Sequence, residues 1–145
     1  MEPPSQRGAC PTVTNTADHL SLIVTSEAPS AIGPYSQGIV YGDLVFTAGQ
    51  IPLDPESMTV VDGGIEEQAE RVMANLAGVV TAAGSSLSQV IKTTCFLADL
   101  ADFPTFNAVY ARWFGDHKPA RSTVQVAKLP LGVLVEVECI ARRAE

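Results

Sequence analysis

Residues 65–84 read IEEQAERVMANLAGVVTAAG, and residues 90–97 read VIKTTCFL. In the first stretch the apolar positions Ile65, Ala69, Val72, Leu76, Val79 and Ala83 recur in steps of 4, 3, 4, 3 and 4, the spacing that lines one face of a helix. Glu66, Glu67, Glu70 and Arg71 fall on the other face. The acids stand near the first turn, where the partial positive charge of a helix N-terminus favours them. Gly84 follows as a stop signal. The second stretch is rich in β-branched residues and reads as a strand.

Toward the C-terminus, Asp102 is placed to cap a second helix with Pro104 in its first turn. Phe103, Phe106, Val109, Tyr110 and Trp113 follow at helical spacing, and Gly115 ends it. Residues 122–126 and 133–140 read as two closing strands, with Leu129-Pro130-Leu131-Gly132 between them. Toward the N-terminus, residues 39–41 and 44–48 form a hairpin across Gly42-Asp43, a two-residue loop whose leading glycine suits a type II′ turn. Residues 20–24 read as the first strand, and residues 30–38, punctuated by Gly33, Pro34 and Gly38, as a shaped loop. Residues 1–19, polar and proline-rich, are expected to be a loosely ordered tail. The order strand, hairpin, helix, strand, helix, strand, strand gives an α+β fold with both helices on one face of a mixed sheet. The other face then needs cover, and self-association is the simplest way to supply it.

Composition narrows the function. The chain has 145 residues, and its 9 basic against 16 acidic side chains leave a formal charge of −7, a single domain on length. Basic residues are scattered, the longest cluster being Arg142-Arg143. Neither nucleic acid nor an anionic membrane surface is expected as the main partner. No apolar run approaches the roughly 20 residues of a membrane helix. Cys10, Cys95 and Cys139 are odd in number with no CxxC pair, so reduced thiols, at least two of them buried, and a cytoplasmic setting without a secretory leader are expected. His19 and His117 lie far from the cysteines, and no metal site is expected.

Phosphate loops, GxGxxG, GxSxG and HExxH are all absent. No histidine is expected in a cleft, so an enzyme on this chain would work with arginine, carboxylate, tyrosine or backbone groups. Arg121 stands at the mouth of a strand; read alone it is a surface cation, and read functionally it grips a carboxylate with two parallel hydrogen bonds. Glu136 and Glu138 alternate with Val135 and Val137, which puts both on one strand face, solvated or lining a cleft where a carboxylate could position water. Tyr35 on its loop offers a phenol or merely packs its ring. Gly49 ends a strand or admits close backbone approach. Asn107 is a polar helix residue or an interface donor. Cys139 reads as core.

Taken together, several segments resemble the reactive intermediate deaminase family of RidA/YjgF type. They are Ala31-Ile32-Gly33-Pro34-Tyr35-Ser36-Gln37-Gly38, Thr47-Ala48-Gly49-Gln50-Ile51-Pro52, Val90-Ile91-Lys92-Thr93-Thr94, Phe106-Asn107-Ala108-Val109-Tyr110 and Pro119-Ala120-Arg121-Ser122-Thr123-Val124, the last running through Leu129-Pro130 to Val135-Glu136-Val137-Glu138. The resemblance spans residues 20 to 143 in order and leaves the first 19 outside.

This resemblance implies a chorismate-mutase-like α+β domain over residues 20–145, and a homotrimer with a central barrel and clefts between subunits. It also implies cofactor-free hydrolysis of 2-imino acids or enamines, such as 2-aminoacrylate, to 2-keto acids and ammonia. Carried over residue by residue, Arg121 anchors the substrate carboxylate with help from the Gly49 N–H. Glu136 positions water, Tyr35 faces the substrate, Asn107 lies at the cleft, and the Thr123 carbonyl helps to orient water. The chain departs from the pattern at Thr123, where many members have cysteine, and at Ala48, where some have serine. Its loop before Pro119 is shorter than in many relatives. The alternatives are a non-catalytic trimer that holds keto or amino acids, and a chaperone-like or RNA-cleaving protein.

Overall fold

The computed structural model describes residues 13–17 and 20–143. Seven strands form one sheet in the order β1-β2-β3-β4-β7-β5-β6, namely β1 Val13–Ala17, β2 Leu20–Ile23, β3 Gly38–Tyr41, β4 Leu44–Thr47, β5 Val90–Leu97, β6 Ala120–Gln125 and β7 Val135–Arg142. Helix α1 spans Ile65–Ala82 and α2 spans Phe103–Phe114. Only β5 and β6 are parallel; every other neighbouring pair is antiparallel. The parallel pair follows from chain order, because α2 is the crossover that returns the chain to the same end of the sheet. The α+β fold with a mixed sheet and two helices is thus as expected.

One expectation needs correction. Within the supposed tail, residues 13–17 are a strand that pairs antiparallel with β2, Val13 facing Ile23 and Ala17 facing Leu20. Their β-branched threonines and valine suit an edge strand, a signal masked by the polar, proline-rich residues around them. Residues 1–12 and 18–19, with Cys10 and His19, lie outside the described residues.

Strand β5 runs Val90–Leu97 as its apolar content predicts. The hairpin is formed as read: Tyr41 pairs with Leu44, and Gly42 takes φ +60°, a value the first residue of a type II′ turn needs and glycine adopts without strain. In α1 the predicted stripe is the buried one, with Ala69, Val72, Leu76 and Val79 fully buried. The Glu67 carboxylate accepts from the Gly64 N–H at 2.8 Å and so closes the first turn. Helix α2 differs at its start. Asp102 occupies the cap position with helical backbone angles and makes no side-chain cap. A short 3₁₀ turn, Leu100–Asp102, precedes the helix, and Asp99, in extended conformation, caps that turn by accepting from the Ala101 N–H at 2.9 Å. The helical path starts three residues early, so the cap moves with it.

The core lies between the helices and one sheet face. Val45, Cys95, Leu97, Val135, Val137, Cys139 and Ala141 meet Val72, Leu76, Val79, Phe106 and Val109 there. The alternate residues of the same strands form the open face. Across it run the pairs Ile39–Phe46, Tyr41–Leu44, Phe46–Ile140 and Phe96–Glu136, and Tyr41 and Phe46 remain 56% and 39% exposed. Among the described residues no helix is long and apolar enough to cross a membrane.

Candidate functional site

Two clusters gather most of the residues singled out above. The first lies between α2 and the edge strand β6. Arg121 and Thr123 point from β6 to the helix side of the sheet, in register with Thr93 and Cys95 of β5. The Arg121 guanidinium lies 4.7 Å from the Tyr110 ring centroid and 5.2 Å from that of Phe103. Its Nη1 donates to the Asn107 Oδ1 at 2.8 Å, and its remaining donors have no partner among the described residues. Beneath it the hydroxyls of Tyr110 and Thr93 are 2.7 Å apart. A cavity of about 400 Å³ opens beside this cluster, lined among others by Asn107, Tyr110, Phe114, His117, Lys118 and Arg121. The buried Oγ1 of Thr123 has no hydrogen-bond partner among the described residues.

A histidine does line this cavity, against expectation. His117 Nε2 sits 2.7 Å from the Val90 carbonyl oxygen, a contact that requires Nε2 to carry the proton. Its ring packs 6.2 Å from Phe114. Sequence spacing could not show this, because His117 reaches the cavity through the turn after α2.

The second cluster lies on the open face, where β4 leaves β7. Phe46 pairs with Ile140, and the next contact is the bridge between Gln50 and Val137. Four steps on one side therefore oppose three on the other, a bulge with one extra residue. The Thr47 hydroxyl covers the gap by accepting from the Cys139 N–H at 3.0 Å. Gln50 N donates to Val137 O at 2.8 Å, and Val137 N returns a bond to Gln50 O at 3.1 Å. This bridge presses Gly49 against Glu136, so closely that a Cβ at position 49 would fall on the Glu136 carboxylate. A side chain here would displace the Glu136 carboxylate. Burial, and secondarily the neighbouring Glu138 charge, push the Glu136 pKa above the ordinary carboxylate value.

Tyr35 stands apart from both clusters. It is 51% exposed, and its hydroxyl accepts from the Ile32 N–H of its own loop at 3.4 Å. That loop is tied down by the buried Gln37 side chain, which accepts from Thr25 N at 2.8 Å and donates to Pro29 O at 2.7 Å. Ala48 donates to the Gln37 carbonyl at 2.9 Å, so the tyrosine loop and the Gly49 segment share one support.

Within one chain, then, Arg121 and Glu136 leave opposite faces of the sheet. Their β5 partners, Thr93 and Phe96, are also three residues apart, about 10 Å along a strand. Sequence reasoning paired them without seeing this. It also gave Phe103 and Tyr110 no part in the site, although the spacing of residues 103, 107 and 110 already puts them on one helix stripe with Asn107. Cys95 and Cys139 are free and buried. Burial pushes their thiols up to about 11 and about 12, which makes them unreactive as nucleophiles.

A family model described as endoribonuclease L-PSP matches residues 25–143. The chain belongs to this family. It is the family of RidA and YjgF that the motifs resemble. Reactive Intermediate Deaminase A, a chloroplastic protein of Arabidopsis thaliana, is 48% identical over 120 residues, which cover 83% of this chain and 64% of the plant protein. The crystal structure of the Escherichia coli YjgF gene product superposes with TM-score 0.81 at 44% identity, covering 85% of this chain and 98% of that one. Escherichia coli TdcF, solved with bound serine, superposes with TM-score 0.81 at 45% identity and the same coverage.

Proposed function

We propose that the protein is a deaminase that hydrolyses 2-imino acids and their enamine tautomers to 2-keto acids and ammonia, at clefts between the subunits of a homotrimer. The observation that carries this reading is the seated guanidinium of Arg121, with donors left over for a carboxylate, in a family that includes a named reactive intermediate deaminase. A second support is the split of the site. Arg121 and Glu136 lie on opposite faces of one sheet, so one small substrate meets both only if a second copy brings its own Glu136 to the cleft. The apolar open face supplies the surface for that association.

In this reading the substrate carboxylate docks on Arg121 of one copy and on the Gly49 N–H of the copy that brings Glu136; that N–H takes part in no backbone hydrogen bond among the described residues. The Glu136 carboxylate accepts a hydrogen bond from water, and the Thr123 carbonyl accepts another. Tyr35 covers the bound substrate. The iminium carbon takes the water oxygen, and the C=N electron pair moves to nitrogen, forming a carbinolamine. A water proton passes to Glu136 and then to the nitrogen. The C–N bond breaks, ammonia leaves, and the hydroxyl oxygen becomes the keto oxygen as its proton passes to Glu136 and on to the ammonia, giving ammonium. The iminium is already electrophilic, so the protein's contribution is mainly proximity and orientation, and the steps as written use no cofactor. The free thiols of Cys95 and Cys139 fit a cytoplasmic setting.

The test generates a 2-imino acid in situ with an amino-acid oxidase while semicarbazide competes for it. Wild type is expected to suppress semicarbazone and speed keto-acid release, and Arg121→Ala to lose about 10²-fold or more of that effect. No difference between wild type and buffer across several imines would remove the enzymatic reading. The second reading, a trimer that holds amino or keto acids without turnover, takes support from the serine bound to TdcF. It would show as ligand protection against heating that survives Glu136→Gln with no product from wild type. With a formal charge of −7, RNA cleavage has little electrostatic support.

A further inference from the structure

We propose that Phe103 and Tyr110 are positioning residues for Arg121, forming an aromatic seat that fixes the plane of its guanidinium and so prepares it for a carboxylate. This rests on the reading of Arg121 as the carboxylate anchor.

The seat is built from one stripe of α2. Residues 103, 107 and 110 follow one another at 4 and 3 steps and so share a helix face. Two of them present rings to Arg121, with centroids 5.2 and 4.7 Å from its Cζ. Asn107, between them, takes one N–H at 2.8 Å. Cation–π contact holds the flat cation against the rings, and the amide sets its rotation within that plane. The seat is itself locked. The Tyr110 hydroxyl is 2.7 Å from that of Thr93, which is fully buried and is the β5 partner of Arg121 in the strand register. A closed circuit results, from the Arg121 backbone across to Thr93, through the hydroxyl pair to Tyr110, and from the ring back to the guanidinium. Tyr110 further packs on Phe106 and Phe114 with centroids 5.7 and 4.7 Å away, so it cannot swing without disturbing the core. Burial raises the Tyr110 pKa, which keeps the phenol protonated and assigns it a holding role.

An arginine side chain free in solution must be ordered when its ligand binds. One already clamped avoids that cost, and the gain appears as affinity. The circuit therefore predicts coupling: ring and guanidinium matter together or not at all.

The experiment titrates 2-oxobutanoate, a 2-keto acid of the proposed product class, into the full chain by calorimetry, and measures deamination in parallel. Phe103→Leu and Tyr110→Leu are made in the wild-type and Arg121→Ala backgrounds. Phe103→Tyr and Tyr110→Phe serve as conservative variants, and oligomeric state and melting temperature are recorded for each. Phe103→Leu and Tyr110→Leu are expected to weaken binding about five-fold or more, with a comparable loss in kcat/KM. Neither should change binding further once Arg121 is alanine. Phe103→Tyr should retain wild-type affinity. Tyr110→Phe, which keeps the ring and loses the lock, should fall between. If Tyr110→Leu does not fold, Phe103→Leu, at a half-buried position, carries the comparison. Wild-type affinity in Phe103→Leu, or equal losses in both backgrounds, overturns the seat while leaving the anchor standing. Wild-type binding and turnover in Arg121→Ala overturns the anchor, and the seat with it.

Discussion

At residue scale, the contact between Gly49 and Glu136 sets the electrostatics of the open face. Glu136 is harder to ionise in the folded protein than in the unfolded chain, because burial withdraws water and Glu138 adds a like charge. Below the ordinary glutamate value of 4.5 both states carry the proton and Glu136 costs nothing. As pH climbs from 4.5 through the raised folded value, the unfolded state gives up its proton first, and stability falls. Glu136→Gln has no such loss. The melting-temperature advantage of Glu136→Gln over wild type should therefore grow with pH across that window, as scanning calorimetry over a pH series would show. A flat difference would mean that Glu136 is not desolvated in solution. Activity should move the other way, with the acid limb of kcat/KM lying above 4.5, because the step needs the carboxylate form. Gly49→Ala adds an atom where the Glu136 carboxylate lies, so that side chain must shift. Displacing Glu136 by about 1 Å is expected to cost on the order of 10²-fold in kcat, with circular dichroism unchanged.

At the scale of elements, α1 supports the site from behind. Asn75 is fully buried. Its amide donates to the carbonyls of Ile51 at 3.1 Å and Leu53 at 2.9 Å, and its oxygen accepts from Arg71 Nε at 3.0 Å. This pins the chain just past Gly49 and Gln50, a segment with few ladder bonds of its own. Asn75→Ala leaves the Leu53 carbonyl unpaired, while the Ile51 carbonyl keeps the Leu53 N–H at 2.7 Å, and should lower unfolding free energy by about 1–3 kcal/mol in urea titrations. Asn75→Asp, which replaces a donor by an acceptor facing those carbonyls, should lower it further. If Asn75→Ala melts like wild type, the segment is held by its backbone bonds, the Gln50–Val137 and Leu53–Val60 bridges among them. The helix itself was legible from its stripe of apolar positions. Asn75 was not, because a lone asparagine in a helical pattern carries no mark of the two carbonyls that face it.

At the scale of the whole molecule, the open face and the split site make one claim. Tyr41, Leu44 and Phe46 stand exposed beside one another on β3 and β4. If three copies cover these faces, light scattering after size exclusion should give three times 15.3 kDa for wild type. Phe46→Asp, a charge placed in an apolar contact, should give a smaller species with no deaminase activity. Mixing is more telling. Arg121→Ala and Glu136→Gln subunits, each inactive alone, should recover about one quarter of wild-type activity after unfolding and refolding together, the share of interfaces that pair an intact Arg121 with an intact Glu136 in a closed ring. No recovery would place both residues in the service of one chain.

Sequence by itself determined the elements and the family. Periodicity of 3.6 and 2 is written locally, so both helices, the hairpin at Gly42-Asp43 and the strand Val90–Leu97 were legible, and ordered motifs such as Pro119-Ala120-Arg121-Ser122-Thr123-Val124 marked the kinship. The strand Val13–Ala17 and the cap at Asp99 were not, since edge pairing and a 3₁₀ start depend on neighbours that a local pattern does not contain. Tertiary structure alone decided which side of the sheet each candidate residue serves. Alternation shows that Glu136 and Glu138 share a face, but not which face the helices cover. Register shows that Arg121 stands beside Thr93, but only packing puts the rings of Phe103 and Tyr110 against its guanidinium and the bulge that presses Gly49 onto Glu136.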